Sequence, residues 1–212
     1  MKPLSSRALV FGASLFGATF GLINQSFAIP AWELSSVSSF RNASWSFGDN
    51  FTVGGSSISV DALGALDTGM NGFVTPGGIA VGLFNQAGTL LVSTTVTSSS
   101  TLMGNYRFAP IAPITLNAGQ QYRVVGVNGD DLYNISQGTL TSIDPRVTWN
   151  SYSYGQSTTL LFSNDFTGTE RSWFANFNIA GPGGTSVPDG GSSIAMAAFA
   201  FAGLVALRRS LR

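Results

Sequence analysis

Two residue types with reactive side chains are missing from this 212-residue sequence, which has no cysteine and no histidine. Without cysteine the chain forms no disulfide and carries out no thiol chemistry. Without histidine it lacks the imidazole of the familiar catalytic triads, and zinc sites made of cysteine and histidine are excluded as well. Many hydrolase and metalloprotein mechanisms are therefore closed to this chain.

Charged residues are also scarce, at 9% of the sequence, whereas a soluble domain commonly has about 25%. Aromatic residues make up 12% and there are 26 glycines, so the chain has enough apolar surface for a core and is not a charged disordered protein. Between residues 29 and 186 there are nine acidic residues and five arginines. Because this acidic balance repels polyanions, no nucleic acid is expected as a partner.

The first 28 residues have the features of a secretory signal peptide. Lys2 and Arg7 supply the positive start, and residues 8–23 are apolar or small and uncharged. Small residues then precede a cleavage site between Ala28 and Ile29, so we expect signal peptidase to remove the segment. The alternative is a retained membrane anchor, although three glycines interrupt its apolar run.

The carboxyl end of the chain is a second candidate membrane segment. Residues 190–207 contain no charged residue, and arginines follow at 208, 209 and 212. As an α-helix this stretch spans about 27 Å, close to the thickness of a bilayer core, and the positive-inside rule places the arginines in the cytoplasm. An amphipathic helix packed on the domain is the alternative, but no polar face recurs at helical spacing. We therefore expect a C-terminal transmembrane helix that tethers an exported domain to the inner membrane.

The motif before that helix carries a family resemblance. Val187, Pro188, Asp189, Gly190 and Gly191 precede the apolar span and the arginine cluster. This order resembles the C-terminal sorting signals of exosortase substrates, in particular the Val-Pro-Asp (VPDSG-CTERM) variant of the PEP-CTERM family, with Gly190 where that variant has serine. The resemblance implies recognition by an exosortase-type processing enzyme in a Gram-negative bacterium that makes exopolysaccharide. It also implies removal of the tail and delivery of the domain to the cell surface or extracellular matrix.

Between the two ends, short runs of Val, Ile, Thr and aromatic residues alternate with Gly, Asn and Asp. Such runs are typical of β-strands joined by turns, and residues 85–88 and 117–121 are good turns. Their close spacing predicts an all-β fold, an antiparallel β-sandwich of about eight strands with a jelly-roll-like form over residues 29–180, followed by a flexible linker at 181–186. The candidate strands are 44–53, 57–66, 78–84, 89–97, 105–116, 121–127, 157–163 and 172–179.

The order of these segments resembles a small bacterial β-sandwich domain of unknown function that occurs in exosortase substrates. The resemblance extends over residues 45–180 and is carried by "ALGALDTGMNGF", "VGLFNQAGTLLVSTTV", "YRFAPIAPITLNAGQQYRV" and the acidic turn "NGDD". It implies a fold and no catalytic residues.

Two acidic turns are candidate calcium sites, and calcium is the one cofactor considered for this chain. Asp130 and Asp131 are adjacent carboxylates in the turn that begins at Asn128, where carboxylate and carbonyl oxygens could hold Ca²⁺. Turn chemistry alone also accounts for this sequence. The segment from Asp67 begins like a calcium loop, but Gly78 stands at its twelfth position, where a bidentate Glu is needed.

The segment "RVTWNSYSYG" contains the candidate glycan-binding residues Trp149, Tyr152 and Tyr154. On a strand the two tyrosines face the same side, with Trp149 on the opposite side or displaced by a turn. If exposed, such rings stack on sugars; the alternative is that they cover the edge of the core. Trp45 and Trp173 lie in apolar strand contexts and are assigned to the core.

Three classes of function follow from these observations. The leading hypothesis is a non-catalytic exported protein that is sorted to the surface or to the exopolysaccharide matrix. The rival is a carbohydrate-binding module that acts through the three aromatic residues. A secreted hydrolase is the third, but no paired-carboxylate motif, serine elbow or phosphate-binding loop is present in the sequence.

Overall fold

A computed structural model describes residues 29–134, 140–166 and 171–181 of the chain. The predicted signal peptide, the sorting motif at residues 187–191 and the C-terminal transmembrane helix lie outside these ranges. Within them, no helix is long and apolar enough to cross a membrane. The strands of the described residues are β1 (Ile29–Pro30), β2 (Trp32–Leu34), β3 (Trp45–Val53), β4 (Ile58–Leu66), β5 (Ile79–Asn85), β6 (Leu90–Val96), β7 (Thr101–Met103), β8 (Tyr106–Leu116), β9 (Gln121–Val127), β10 (Leu140–Ile143), β11 (Val147–Gln156), β12 (Asp165–Phe166) and β13 (Ala175–Ile179).

The strands form two main sheets in which every neighbouring pair is antiparallel. One sheet has six strands in the order β12-β11-β3-β9-β5-β6, and the other has five in the order β1-β13-β4-β8-β7. A separate antiparallel pair, β10-β2, completes the described part. The predicted all-β fold and antiparallel β-sandwich are confirmed.

The core is filled by aromatic side chains from both sheets. Phe51 of β3 stacks on Phe177 of β13 with ring centroids 4.6 Å apart, and Trp32 of β2 meets Phe177 edge-on at 5.5 Å. The indole N–H of Trp32 donates to the carbonyl oxygen of Ala175 at 3.2 Å, so its one polar group is satisfied inside the core. Burial of each such ring stabilises the fold by about 1.5–3 kcal/mol.

Most of the predicted strands agree with the structure. The first six predicted strands begin and end within one residue of the observed strands β3, β4, β5, β6, β8 and β9. The predicted strand at 172–179 begins only at Ala175. The delay has a local cause, because Trp173 just before β13 has a φ of 50°, which is not a strand conformation.

The predicted strand at 157–163 is wrong. Residues 157–164 have no regular secondary structure, and the neighbouring segment Val147–Gln156 forms the strand β11 instead. The apolar side chains of this segment cover the six-stranded sheet. Leu160 lies so close to Gly82 of β5 that a Cβ atom there would be 2.8 Å from Leu160 Cδ1, and Phe162 packs on Phe84 at 5.7 Å.

A buried arginine holds this covering segment on the sheet. Arg123 of β9 pairs with Asp165 and donates a hydrogen bond to the carbonyl oxygen of Ser163. Its guanidinium also lies over the Phe162 ring, 4.3 Å from the centroid. With only 3% of its side chain exposed, Arg123 is a structural residue of the outer face of the six-stranded sheet.

Candidate functional site

The three candidate aromatic residues lie on β11, and a β-bulge decides how they are arranged. In the pairing with β3, Trp149 is opposite Phe51 and Tyr152 is opposite Asp49, with a register shift between them. The extra residue at the bulge changes the alternation of side chains along the strand. Trp149 and Tyr152 therefore face the same side of the sheet, together with Tyr154.

The exposed aromatic row is nevertheless not formed, because Tyr152 belongs to the core. Only 3% of Tyr152 is exposed, and its ring packs against those of Phe166 at 5.8 Å and Tyr154 at 5.4 Å. Tyr154 is 39% exposed and meets Trp45 edge-on at 5.6 Å. Of the three candidates, Tyr154 offers the most open ring surface, at the rim of the sandwich.

Trp149 is half-buried and shields a carboxylate. Its indole N–H donates to Asp49 Oδ1 at 3.0 Å, while the guanidinium of Arg171 covers its outer face, 3.9 Å from the ring centroid. Arg171 also lies 5.8 Å from the ring of Trp173. Trp149 therefore has a structural role, because its side chain covers the carboxylate of Asp49.

Asp49 itself is completely buried. No group in the described ranges lies within hydrogen-bonding distance of its Oδ2 atom. Burial raises the pKa of Asp49 to about 7, although the hydrogen bond from Trp149 and the charges of Arg171 and Arg123 act in the opposite direction. The sequence does hold a signal for this residue, because Phe47, Asp49 and Phe51 share one side of β3 by simple alternation.

The two candidate metal ligands in the acidic turn are directed to different partners. Gly129 allows the turn because its φ of 57° is in the left-handed region. The carboxylate of Asp131 is buried and accepts hydrogen bonds from the backbone N–H groups of Val74 at 2.7 Å and Thr75 at 2.8 Å. Asp130 instead pairs with Arg41 at 2.9 Å on the surface. The turn thus uses Asp131 to hold the neighbouring loop.

The loop that starts at Asp67 is also closed by protein groups. Its carboxylate oxygen Oδ2 accepts hydrogen bonds from the backbone N–H of Gly72 at 2.8 Å and from Arg107 Nε at 2.7 Å. Across the described residues, no group of three or more acidic side chains converges as a metal site would require.

An open cleft of about 600 Å³ lies beside the acidic turn. A smaller cleft of about 210 Å³ adjoins it, and Arg41 and Asp130 line both. The lining of the larger cleft is mixed, with more polar side chains than apolar ones. Its apolar lining includes Pro76, Ala80 and Val127, and its polar lining includes Arg41, Asn42, Ser44, Thr75, Asp130 and Thr158.

The β-sandwich domain is followed in the chain by a sorting sequence. Residues 186–211 match the model of the VPDSG-CTERM motif, which confirms the predicted C-terminal sorting signal. The motif implies processing by an exosortase-type enzyme and marks an exported, cell-surface-directed protein. No curated protein and no solved structure matches the chain.

Proposed function

We propose that this chain is a non-catalytic protein of the cell surface or extracellular matrix of a Gram-negative bacterium. Its C-terminal segment tethers the precursor to the inner membrane until an exosortase-type enzyme processes the sorting signal. The released β-sandwich then associates with exopolysaccharide. The observation that carries this proposal is the VPDSG-CTERM motif directly after a β-sandwich domain.

The positions of the carboxylates support a non-catalytic role. A glycosidase needs two carboxyl groups that face each other across a substrate cleft. Here Asp67, Asp144 and Asp165 each pair with an arginine, and Asp131 binds backbone amides. Burial raises the pKa of Asp49 and of Asp61, as in a candidate general acid. These residues are only 0% and 8% exposed, and neither lines the two clefts beside the acidic turn.

The surface near the acidic turn supports an association with polysaccharide. The larger cleft combines an apolar lining with amide and hydroxyl groups, which is the chemistry that sugar rings and their hydroxyls require. Tyr154 adds an exposed ring on which a sugar can stack. Its face is too small for strong binding by itself, so the association would depend on many copies along a polymer.

The sorting part is tested by mass spectrometry and fractionation of the protein made in its native host. We expect the mature wild-type protein to lack Arg212 and to leave the membrane fraction. The variant Pro188→Ala/Asp189→Ala should keep Arg212 and stay in the membrane, because the motif is no longer recognised. Thr185→Ala, just before the matched residues, is the control and should be processed normally. A wild-type protein that keeps Arg212 in the membrane would replace sorting by a permanent anchor.

A mutant of the native host that makes no exopolysaccharide tests the association with this polymer. In a host unable to make the polymer, the processed protein should appear in the medium instead of the matrix fraction. Equal retention with and without the polymer would remove exopolysaccharide from the proposal and leave the sorting part intact.

A further inference from the structure

The edges of the two sheets are protected to very different degrees. At three edges the outermost strand is short: β1 and β12 have two residues each and β7 has three. Beyond its pairing with β7, β8 leaves an open edge, but Pro110 and Pro113 lie on that stretch. Short strands and prolines are the usual means by which proteins prevent pairing with other chains.

The edge at β6 has neither of these two protections. It is seven residues long, and it pairs with β5 on one side only. No strand of the described ranges is hydrogen-bonded to its other side, and β8 of the five-stranded sheet lies close to it. Leu90 and Leu91 are 45% and 42% exposed, and Ser93 and Thr95 are exposed as well. Residues 77–106 contain no proline and no charged side chain, so nothing in the sequence repels an added strand.

We propose that the free edge of β6 binds the β6 strand of a second copy of this chain in antiparallel orientation. The six-stranded sheets of two copies then become one continuous sheet. A strand that pairs with itself in this way is related to its partner by a twofold axis, so each copy supplies the donors and acceptors that the other needs. This interface does not depend on the sorting signal or on exopolysaccharide.

The absence of charge favours a second copy as the occupant. In a self-pairing interface any charged residue near the axis lies close to the same charge on the partner, which destabilises the pair. The uncharged run at 77–106 avoids this problem. Pairing of β6 with itself also closes a sheet edge that otherwise favours aggregation.

The register of the pair follows from the bulge in β6. The pairing with β5 is regular from Val92 to Val96 and shifts between Leu83 and Phe84. The regular part is centred on Thr94, so a twofold axis there places Thr94 opposite Thr94 of the other copy. Ser93 then lies opposite Thr95 of the other copy. Directly opposed Cα atoms in an antiparallel pair are about 4.5–5.5 Å apart, a distance that a disulfide can span.

Disulfide cross-linking of the full chain in its host tests this interface, because the chain has no cysteine of its own. Thr94→Cys should give a covalent dimer on a non-reducing gel after mild oxidation. Thr115→Cys is the matched control, since Thr115 is exposed on the proline-containing edge of β8. We expect little dimer from this control.

Charge variants then distinguish specific pairing from chance collision. Adding Ser93→Lys/Thr95→Lys to Thr94→Cys should lower the cross-linked fraction about tenfold, because lysines now face each other across the axis. Co-expression with Ser93→Glu/Thr95→Glu/Thr94→Cys should restore it, which also shows that the lysine variant is folded. The proposal is overturned if Thr94→Cys gives no more dimer than Thr115→Cys, or if the lysine variant cross-links as well as Thr94→Cys alone.

Discussion

Asp49 and Arg123 are buried charged residues on opposite faces of the same six-stranded sheet, and they differ in their partners. Arg123 of β9 meets the carboxylate of Asp165, a backbone carbonyl and an aromatic ring. Asp49 of β3 receives one hydrogen bond from Trp149, and its second oxygen has no partner among the described residues. The buried charge on the outer face thus has a counter-ion in direct contact, whereas the buried charge in the core has none among the described residues.

The two pKa values reflect this difference. Burial lowers the pKa of Arg123, but the charges of Asp165 and Asp49 oppose the change, so the guanidinium stays protonated at every physiological pH. Burial raises the pKa of Asp49 to about 7, because its effect is larger than that of the hydrogen bond from Trp149 and of the charges of Arg171 and Arg123, which lower the pKa. A buried charge with a counter-ion is a fixed structural contact, and one without a counter-ion becomes sensitive to pH.

The largest expected effect is that of Arg123→Ala. This change leaves the segment at 157–164 without its ring contact and without two hydrogen bonds from a charged group. Each such hydrogen bond contributes about 1.5–3 kcal/mol, so the total loss is about 3–5 kcal/mol. The free energy of unfolding, measured with denaturant, should fall by this amount. Arg41→Ala is the matched control, because its pair with Asp130 is exposed and contributes at most about 1 kcal/mol. Equal losses for the two variants would mean that Arg123 is not a structural contact.

A smaller effect, with a distinctive pH dependence, is expected for Asp49→Asn. The pKa of Asp49 is about 7 in the folded chain, against the ordinary value of 3.8. The folded state therefore binds more protons between these values, and wild-type stability should fall as pH rises from about 4 to about 8. Each unit by which the folded pKa exceeds the ordinary value lowers the free energy of unfolding at high pH by about 1.4 kcal/mol. Asp49→Asn should therefore be more stable than wild type by a few kcal/mol at pH 8. Unfolding curves at pH 4 and pH 8 check this, and parallel pH profiles for both proteins would contradict it.

The smallest expected effect, with the opposite sign, is that of Asp144→Asn. Hydrogen bonds from Arg146, which lies two residues further along the chain, lower the pKa of Asp144. The ion pair therefore adds stability above the ordinary pKa of 3.8 and loses it as pH falls through the lowered value. Asp144→Asn should cost about 1–2 kcal/mol at pH 7 and nothing at strongly acidic pH. A pH-independent loss would assign the effect to packing instead of charge.

The strands could be predicted where a turn and an alternating pattern occur together. The segment from β5 to β6 has both, and the predicted bounds of these two strands differ from the observed bounds by at most one residue. The run at 157–163 has the composition of a strand, yet Leu160 and Phe162 cover the outer face of another sheet. Composition indicates that such residues are buried, but it does not tell a paired strand from a covering segment.

The candidate site was harder to predict, because it depends on register. Simple alternation predicts the side chains of Trp149 and Tyr152 on opposite faces of the strand. The bulge between Trp149 and Ser151 brings them to the same face. The same pattern gave Tyr152 and Tyr154 equal standing, although one is in the core and the other at the rim. The position of Asp49 in the core could have been predicted from the sequence, since alternation puts its side chain on the same face of β3 as Phe47 and Phe51.

The sequence by itself determined the destination of this protein and its fold class. A sorting motif is read as a short linear sequence, and strands follow from local alternation, so neither needs distant residues. Tertiary structure alone decided which charges are paired, which tyrosine is buried and which sheet edge is free. Those properties depend on contacts between residues that are far apart in the chain, such as Arg123 with Asp165 and Trp149 with Asp49, and local sequence does not specify such contacts.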